Sequence, residues 1–306
     1  MSARATVTID ELLMLKAKAH GFSLQARQPM SSLLAGRHFS RLRGRGLAFE
    51  ELRQYREGDD IRTIDWKATA RLRSPQIRVY AEERERPLLF LVDQRQPMFF
   101  GSRRTMKSVA AAEVMAVGAW RALGAGDRVG GIVFNEQEAI EVRPHRSRTR
   151  LLQLFHETVR LNQRLADPTP IPGDLHLNGV LRQSLNIAKH SHLVVLVSDL
   201  DGADEETQRI STQLAAHNDV IVVAIYDPLG ALLSGAPGML ATDRGQVWEI
   251  PAGKNFADQF RDAFQARIDQ WSQLFRNLRV PIIPISTAYP ADQQIRSMLG
   301  DRPPAS

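Results

Sequence analysis

Acidic residues stand at the ends of two apolar runs, the position where α/β proteins place ligand sites. Asp93 follows the run Leu88–Val92, and Asp199 follows Leu193–Val197, with Asp201 two residues further on. If the two strands predicted there are neighbours, the three carboxylates converge on one crevice. Clustered carboxylates repel and need a cation, a proton or a base, so this is a candidate Mg²⁺ site. The alternative is that Asp93 and Asp199 only cap the backbone N–H groups that follow them.

Other catalytic signatures are absent from the sequence. It contains no Gly-x-x-x-x-Gly-Lys-[Ser/Thr] phosphate loop, no Gly-x-Gly-x-x-Gly after a strand and no Gly-x-Ser-x-Gly nucleophile turn. The chain has no cysteine, which excludes disulfides, thiolate catalysis and cysteine-ligated zinc. His190 and His192 have no ligand partner in view, and we interpret them as surface or satisfied histidines.

A segment from Phe49 to Arg71 interleaves acids and bases around a Gly-Asp-Asp turn and one Trp. Because buried charges must be paired, we interpret it first as a charge network that braces the N-terminal unit, with aspartates paired to arginines and with Tyr55 and Trp66 as packing residues. The alternative is a docking surface for a partner. The residues assigned to this network or docking surface are Phe49, Arg53, Tyr55, Asp59, Asp60, Arg62, Asp65, Trp66 and Arg71.

The net charge is +6, from 40 Lys and Arg against 34 Asp and Glu. Much of the excess lies between Arg37 and Arg86, where most bases alternate with acids and are expected to pair with them. A second cluster, Arg143, Arg146, Arg148 and Arg150, contains no acid and is the more open to a phosphate. A solvated basic face is still the favoured interpretation, so nucleic acid is disfavoured as a partner.

The elements that must position these residues are short buried strands that alternate with helices. This alternation predicts an α/β fold: a doubly wound, mostly parallel sheet with helices on both faces. Two hairpins are added, one at Ala139–Arg143 and one at Met239–Ile250. The predicted strands are Leu88–Val92, Arg128–Phe134, Leu193–Val197, Val220–Tyr226 and Val280–Ile285, and the predicted helices are Arg103–Leu123, Ser147–Leu161, Asp174–Lys189, Glu205–His217 and Phe256–Leu278, with Ser147 and Asp174 as caps.

Residues 1 to 86 are predicted to form an N-terminal helix and β-rich unit, and residues 87 to 306 the α/β domain. The helix spans residues 8 to 19, with Thr8 and Glu11 at capping-box spacing, and a period of two predicts half-buried strands from 47 to 86. No apolar run approaches the roughly 18 residues that a membrane helix needs, and the N-terminus has no signal pattern. We therefore expect a cytoplasmic protein without a membrane span.

Several of these motifs carry a family resemblance. They are Gly44-Arg45-Gly46, Phe49-Glu50-Glu51-Leu52-Arg53-Gln54-Tyr55, Gly58-Asp59-Asp60-Ile61-Arg62, Ile64-Asp65-Trp66, Thr69-Ala70-Arg71, Glu82-Glu83-Arg84-Glu85-Arg86 and Gly126-Asp127-Arg128-Val129-Gly130. Together they resemble the domain of unknown function 58 family, over residues 36 to 200. The resemblance implies a von Willebrand factor A-like domain preceded by the signature region. It also implies a partnership, because family members are commonly encoded beside MoxR-type AAA+ ATPases and are thought to act with them.

The metal motif of A domains is degenerate in this chain. That motif reads Asp-x-Ser-x-Ser after the first strand, whereas this sequence reads Asp93-Gln94-Arg95-Gln96-Pro97. Arg95 and Pro97 replace both hydroxyl ligands, and the later Thr of the motif falls near Gly173. The distal Asp of the motif would be Asp199 or Asp201.

We therefore predict that Arg95 takes the place of the cation, with its guanidinium paired to Asp93 or Asp199. The alternative is that Arg95 points to solvent. No cofactor is expected, and if a metal such as Mg²⁺ did bind, Asp93 and Asp199 would be its ligands.

These features predict a non-enzymatic protein-binding adaptor. Its expected partners are a MoxR-type AAA+ ATPase and an unknown client protein whose maturation or assembly it assists. One alternative is a nucleic-acid or phosphate-binding protein that uses the basic segments Arg37–Arg45 and Arg143–Arg150. Another is a metal-dependent hydrolase that uses Asp93, Asp199 and Asp201.

Overall fold

The structure is a computed structural model of the chain. It describes residues 3–22, 47–56, 59–82, 87–167, 169, 173–229, 240–243, 246–249 and 280–300, with isolated residues between 255 and 269. The basic segment Arg37–Arg45, the Glu83–Arg86 part of one motif and most of the helix predicted at Phe256–Leu278 lie outside the described residues.

The chain divides into two compact units, residues 1–29 together with 86–306, and residues 30–85. The boundary at 86 is close to the one expected, but the N-terminal helix belongs to the larger unit and not to the signature region. The physical reason is apolar burial: Leu12 and Phe22 are at most 1% exposed and belong to the core of the larger unit. The indole Nε1 of Trp120 also donates to the carbonyl of Leu12 at 3.0 Å.

The predicted alternation of strands and helices is confirmed. The described strands are β1 (Leu47–Gln54), β2 (Gln76–Glu82), β3 (Leu88–Asp93), β4 (Val129–Phe134), β5 (Ala139–His145), β6 (Leu193–Ser198), β7 (Asp219–Tyr226), β8 (Leu240–Asp243), β9 (Gln246–Glu249) and β10 (Ile282–Ser286). The described α-helices are α1 (Ile9–Met14), α2 (Trp66–Leu72), α3 (Lys107–Gly124), α4 (Arg148–Leu165), α5 (Leu177–Ile187), α6 (Glu205–His217) and α7 (Ala291–Leu299).

The larger unit contains a six-stranded sheet in the order β10-β7-β6-β3-β4-β5. All neighbouring pairs are parallel except β4 and β5, which form the predicted hairpin at one edge. Alternate residues of β3 point to opposite faces: Phe90 joins the core under α1, α3, α4 and α7, and Leu91 joins the core under α5 and α6. Burial on both faces explains why the strands read as continuous apolar runs, and it confirms the predicted doubly wound α/β class.

Two of the predicted helix caps are confirmed and one is wrong. Thr8 and Glu11 form the predicted capping box of α1, and Ser147 accepts from the backbone N–H of Arg150 at the start of α4. The predicted cap at Asp174 is wrong, because α5 begins three residues later with His176 at its N-cap position and no side-chain cap. Among the described helices, none is long and apolar enough to cross a membrane.

The smaller unit contains an antiparallel pair, β1 and β2, with a register shift between Phe49 and Glu51. The half-buried strands predicted here are confirmed, but the sequence did not predict α2 between them. This helix begins after Asp65, whose carboxylate accepts from the backbone N–H groups of Lys67 and Ala68. Ala68 is buried, and the hydroxyl of Thr69 accepts from the backbone N–H of Gln76 at 2.9 Å. These contacts fix one side of α2 against β2.

Candidate functional site

The strands that precede Asp93 and Asp199 are neighbours in the sheet. β3 and β6 pair in parallel, with Val92 opposite Val197, so both aspartates follow at the same carboxyl edge. Each is at most 1% exposed. The two strands are therefore neighbours, which is the condition under which the sequence predicted a shared crevice.

The carboxylate of Asp93 has donors on both oxygens. Its Oδ1 accepts from the backbone N–H and the Nε of Arg95, both at 3.0 Å. Its Oδ2 accepts from a terminal guanidinium nitrogen of Arg95 at 2.7 Å and from the hydroxyl of Ser198 at 2.6 Å. Two carboxylate oxygens offer about four lone-pair positions, and four donors fill them.

Arg95 points into the crevice and not to solvent. Only 6% of the residue is exposed, and its guanidinium forms a forked pair with Asp93. It also donates to the carbonyl of Asp201 at 3.0 Å and lies 5.7 Å from the ring centroid of Phe134. Burial lowers the pKa of Arg95, but the charge and hydrogen bonds of Asp93, with the charges of Asp199 and Asp201, raise it further, so the pKa lies above its ordinary value. The guanidinium is permanently charged, with the geometry that the degenerate motif predicted for it.

A second buried cation pairs with Asp199. The ammonium of Lys107 lies 2.5 Å from Asp199 Oδ2, and the two side chains are 11% and 2% exposed. Sequence reasoning missed this pair. A signal was available, because Lys107 opens a helix whose first turn contains no acid. A cation at a helix N-terminus is unfavourable against the helix dipole, by about 0.3–1 kcal/mol, and a nearby carboxylate offsets that cost.

The turn after β6 is shaped by the same residues. Asp199 Oδ1 accepts from the backbone N–H of Asp201 at 3.0 Å, and the hydroxyl of Ser198 accepts from that of Leu200 at 2.9 Å. Leu200 has a φ of 58°, a left-handed conformation that is uncommon for leucine. Asp93 and Asp199 thus both cap backbone N–H groups two residues later, the alternative role predicted for them, in addition to binding cations.

The crevice does not fit the metal that an A-domain motif would hold. Asp93 has no acceptor position left, and the hydroxyl of Ser198 is already used as donor and acceptor. Within the described part of the chain, no three His, Cys, Asp or Glu side chains are grouped as a metal site. Mg²⁺ prefers an octahedron of oxygen ligands, and the carboxylate oxygens of Asp93 and Asp199 already accept hydrogen bonds from Arg95, Ser198, Lys107 and the backbone.

The signature segment differs from its predicted form. Arg53 pairs with Asp59 at 2.9 Å, but both side chains are only partly buried. Asp60 accepts from the backbone N–H of Arg62, and Asp65 caps α2, because short acidic side chains readily bond nearby backbone groups.

The burial predicted for this segment is wrong at several positions. Trp66, predicted as a packing residue, is 72% exposed. Arg62 and Arg71 are exposed, and Tyr55 is half-buried. The side chain of Phe49 lies outside what the structure describes.

The basic cluster at Arg143–Arg150 lies at the end of β5 and the start of α4. All four arginines are exposed, and the Nε of Arg143 lies 2.9 Å from Glu141. Arg150 donates to the side chain of Gln153 at 3.0 Å. The favoured interpretation as a solvated basic face is consistent with these contacts.

Comparison with known proteins gives one family and several relatives. A family model described as "Protein of unknown function DUF58" matches residues 51–273. Two relatives named "Uncharacterized protein", one from Mycobacterium bovis and one from Mycobacterium tuberculosis, are each 24% identical over 276 residues, which cover 89% of this chain and 85% of each relative.

Among solved structures, "von Willebrand factor type A from Catenulispora acidiphila" is similar over 73% of this chain, with a TM-score of 0.37 and 12% identity. The chain spans 43% of the length of that protein.

Proposed function

The chain belongs to the DUF58 family, and we propose that it is a non-enzymatic protein-binding adaptor, because cations of the same chain neutralise the buried carboxylates of its crevice. The observation that carries the proposal is the pairing of both buried carboxylates with cations of the same chain, Asp93 with Arg95 and Asp199 with Lys107. A general acid or base must exchange a proton with substrate, and a catalytic metal needs an open coordination position. A saturated crevice favours neither role.

The partner we propose is a MoxR-type AAA+ ATPase, as the family resemblance implies, together with a client protein. The adaptor would have no turnover of its own, and the ATPase would supply the energy from ATP. We place this pairing in the cytoplasm, where such ATPases have access to ATP. A protein-binding adaptor needs a rigid frame more than a reactive centre, and the two buried ion pairs, of which Asp93–Arg95 is forked, restrict the loops that follow β3 and β6.

The test of the partnership uses the purified full chain and the MoxR-type ATPase of the same genome. We expect the two to co-elute in gel filtration and the chain to change the rate of ATP hydrolysis by the ATPase. The chain alone should release no product from generic phosphoester, ester or peptide substrates. Unaided turnover by the chain, or failure of the ATPase to bind it under any nucleotide condition, would contradict the proposal.

The crevice itself is tested by a gain of function. Arg95→Ser with Pro97→Ser returns two hydroxyls to the motif that begins at Asp93. Calorimetric titration with Mn²⁺ should give no micromolar binding to the wild type and measurable binding to the double variant, because the cation of Arg95 is gone and oxygen ligands replace it. Micromolar binding to the wild type that Asp93→Ala abolishes would show that Arg95 does not occupy the cation's place.

The other two functions have less support. A metal-dependent hydrolase would need free carboxylate oxygens at Asp93, which has none. Single-stranded nucleic acid at Arg143–Arg150 has less support because no Phe, Tyr or Trp lies between these arginines for bases to stack on. An oligonucleotide titration at two salt concentrations distinguishes this function, since phosphate contacts weaken steeply with salt.

A further inference from the structure

The outer side of α2 has an exposed tryptophan beside a row of cations. Trp66 and Ala70 are four residues apart and share one side of the helix, while Lys67 and Arg71 share the adjacent side. All four are exposed, and Trp66 retains 72% of its accessible surface. The inner side is fixed to β2 through Ala68 and Thr69, so these four residues face away from the body of the smaller unit.

The charge of this region has one sign. From Trp66 to Ala81 the sequence contains four bases, Lys67, Arg71, Arg73 and Arg78, and no acid. The nearest acid, Asp65, directs its carboxylate to the backbone N–H groups of Lys67 and Ala68. A partner that covers Trp66 must therefore meet at least two cations of α2, and only a partner with acidic groups gains from that contact.

Two further apolar side chains lie exposed in the same part of the chain. Ile61 is 66% exposed and Leu72 is 57% exposed. Contiguous exposed apolar side chains are typical of protein-binding surfaces, and Trp and Arg are enriched among the residues that dominate their binding energy.

We propose that the outer side of α2, formed by Trp66, Lys67, Ala70 and Arg71, docks an acidic amphipathic segment of a partner protein. The inference rests on the proposed function, since it names the surface that a protein-binding adaptor would use. Trp66 is the apolar anchor, and Lys67 and Arg71 pair with carboxylates at the rim. The network interpretation of the signature segment does not account for an exposed tryptophan, whereas docking does.

The observations favour a protein over the other anionic partners. A membrane-surface helix needs a long apolar side, and α2 has seven residues, of which only Trp66 and Ala70 share that side. Single-stranded nucleic acid is bound by several stacked aromatics, and Trp66 is the one aromatic residue between Ile61 and Arg78 in the sequence.

The test uses the full chain and a fluorescein-labelled synthetic helical peptide with leucine on one face and glutamate on the other. A second peptide with lysine in place of glutamate is the charge control. We expect the glutamate peptide to bind in the micromolar range and the lysine peptide not to bind. Trp66→Ala should weaken binding at least tenfold, roughly the loss at an interface anchor. Lys67→Glu with Arg71→Glu should abolish binding of the glutamate peptide and permit binding of the lysine peptide.

The matched control is Tyr289→Ala, which removes an aromatic residue of similar exposure, 65%, from the larger unit. It should leave peptide binding unchanged. Equal weakening of peptide binding by both variants overturns the proposal. It is also overturned if the wild type binds no peptide but binds phosphatidylglycerol vesicles or a single-stranded oligonucleotide, and Trp66→Ala loses that binding. A dimer in sedimentation that dissociates on Trp66→Ala overturns it too, since a second copy would then be the occupant.

The same variants separate this inference from the proposed function. If the ATPase binds the wild type and Trp66→Ala equally well, the docking surface is wrong and the adaptor function stands. If the ATPase never binds but the glutamate peptide binds through Trp66, the surface stands and the assigned partner is wrong. Because Trp66 is exposed, its truncation should leave the melting temperature unchanged, which keeps a loss of binding from being a loss of fold.

Discussion

The crevice of the larger unit and the signature segment of the smaller unit both contain aspartates and basic residues, but they differ in how far these residues are buried and paired. In the crevice, Asp93 and Asp199 are almost completely buried and each has its own cation. In the signature segment, Asp60 and Asp65 lie near the surface and bond backbone N–H groups, while nearby arginines face solvent. Density of charge in a sequence therefore does not indicate burial. Asp199 of the crevice pairs with Lys107, which is 92 positions away, whereas the aspartates of the dense segment bond backbone N–H groups two or three residues away.

The largest expected effect breaks the forked pair of the crevice. Arg95→Met leaves the carboxylate of Asp93 buried and uncompensated, which should lower the free energy of unfolding by about 3–5 kcal/mol. For a unit of this size the melting temperature should fall by roughly 6–20 °C, measured by calorimetry. Asp93→Asn with Arg95→Met should recover part of the loss, because no unpaired charge remains. If the single variant melted like the wild type, the contrast between the two regions would not hold.

Lys107→Met should have the next largest effect, about 2–4 kcal/mol, because Asp199 loses its cation but keeps the backbone N–H of Asp201. Urea denaturation measures the change. Asp199→Asn with Lys107→Met is the control, and it should be more stable than Lys107→Met alone. An equally unstable double variant would mean that lost packing of the lysine stem, and not the unpaired charge, causes the effect.

Asp65→Ala should have a local effect of about 0.5–2 kcal/mol, the value of a helix cap. The backbone N–H groups of Lys67 and Ala68 lose their acceptor, so their hydrogen exchange should accelerate roughly 2- to 30-fold, measured by NMR on the full chain. Asp65→Asn keeps an acceptor oxygen and should exchange like the wild type. A fall in melting temperature as large as that of Arg95→Met would instead place Asp65 in a buried network.

The smallest effect is a titration at Asp59. Hydrogen bonds from the backbone N–H of Arg56 and from Arg53 hold the pKa of Asp59 below its ordinary value. A folded-state pKa that is lowered adds stability above the ordinary aspartate range, and this stability is lost as pH falls through the folded pKa. Carboxyl NMR should show the low pKa, and Arg53→Met should move it toward the ordinary value. An unchanged pKa in the variant would exclude an effect of Arg53.

Much of the fold could be predicted from the sequence because the sheet is buried on both faces. The runs at Leu88–Val92, Leu193–Val197 and Val220–Tyr226 are strands in the structure, and α6 has the predicted bounds. Such runs contain their own signal, since each residue faces a core. Short helices have a weaker sequence signal. α2 has seven residues and α7 has nine, too few for a hydrophobic period of 3.6 to be distinguished from chance.

The site was predicted in part. Arg95 could be assigned to the crevice because it lies two residues from Asp93 and replaces a motif ligand. Lys107 could not be paired with Asp199 from spacing, because the two are 92 positions apart and meet only through the order of β3 and β6 in the sheet. The exposure of Trp66 was also hidden, since a tryptophan among charges reads equally as a packing residue or as a contact for a partner.

The position of α1 in the larger core has a consequence for synthesis. Its apolar side chains, with Phe22 after it, pack in a core that includes α3, which is complete only at Gly124. Between Phe22 and Gly124 the ribosome adds about 100 residues, which takes roughly 5–20 s at 5–20 residues per second. During that interval α1 emerges from the exit tunnel with its apolar side exposed. That side is an early binding site for a nascent-chain chaperone.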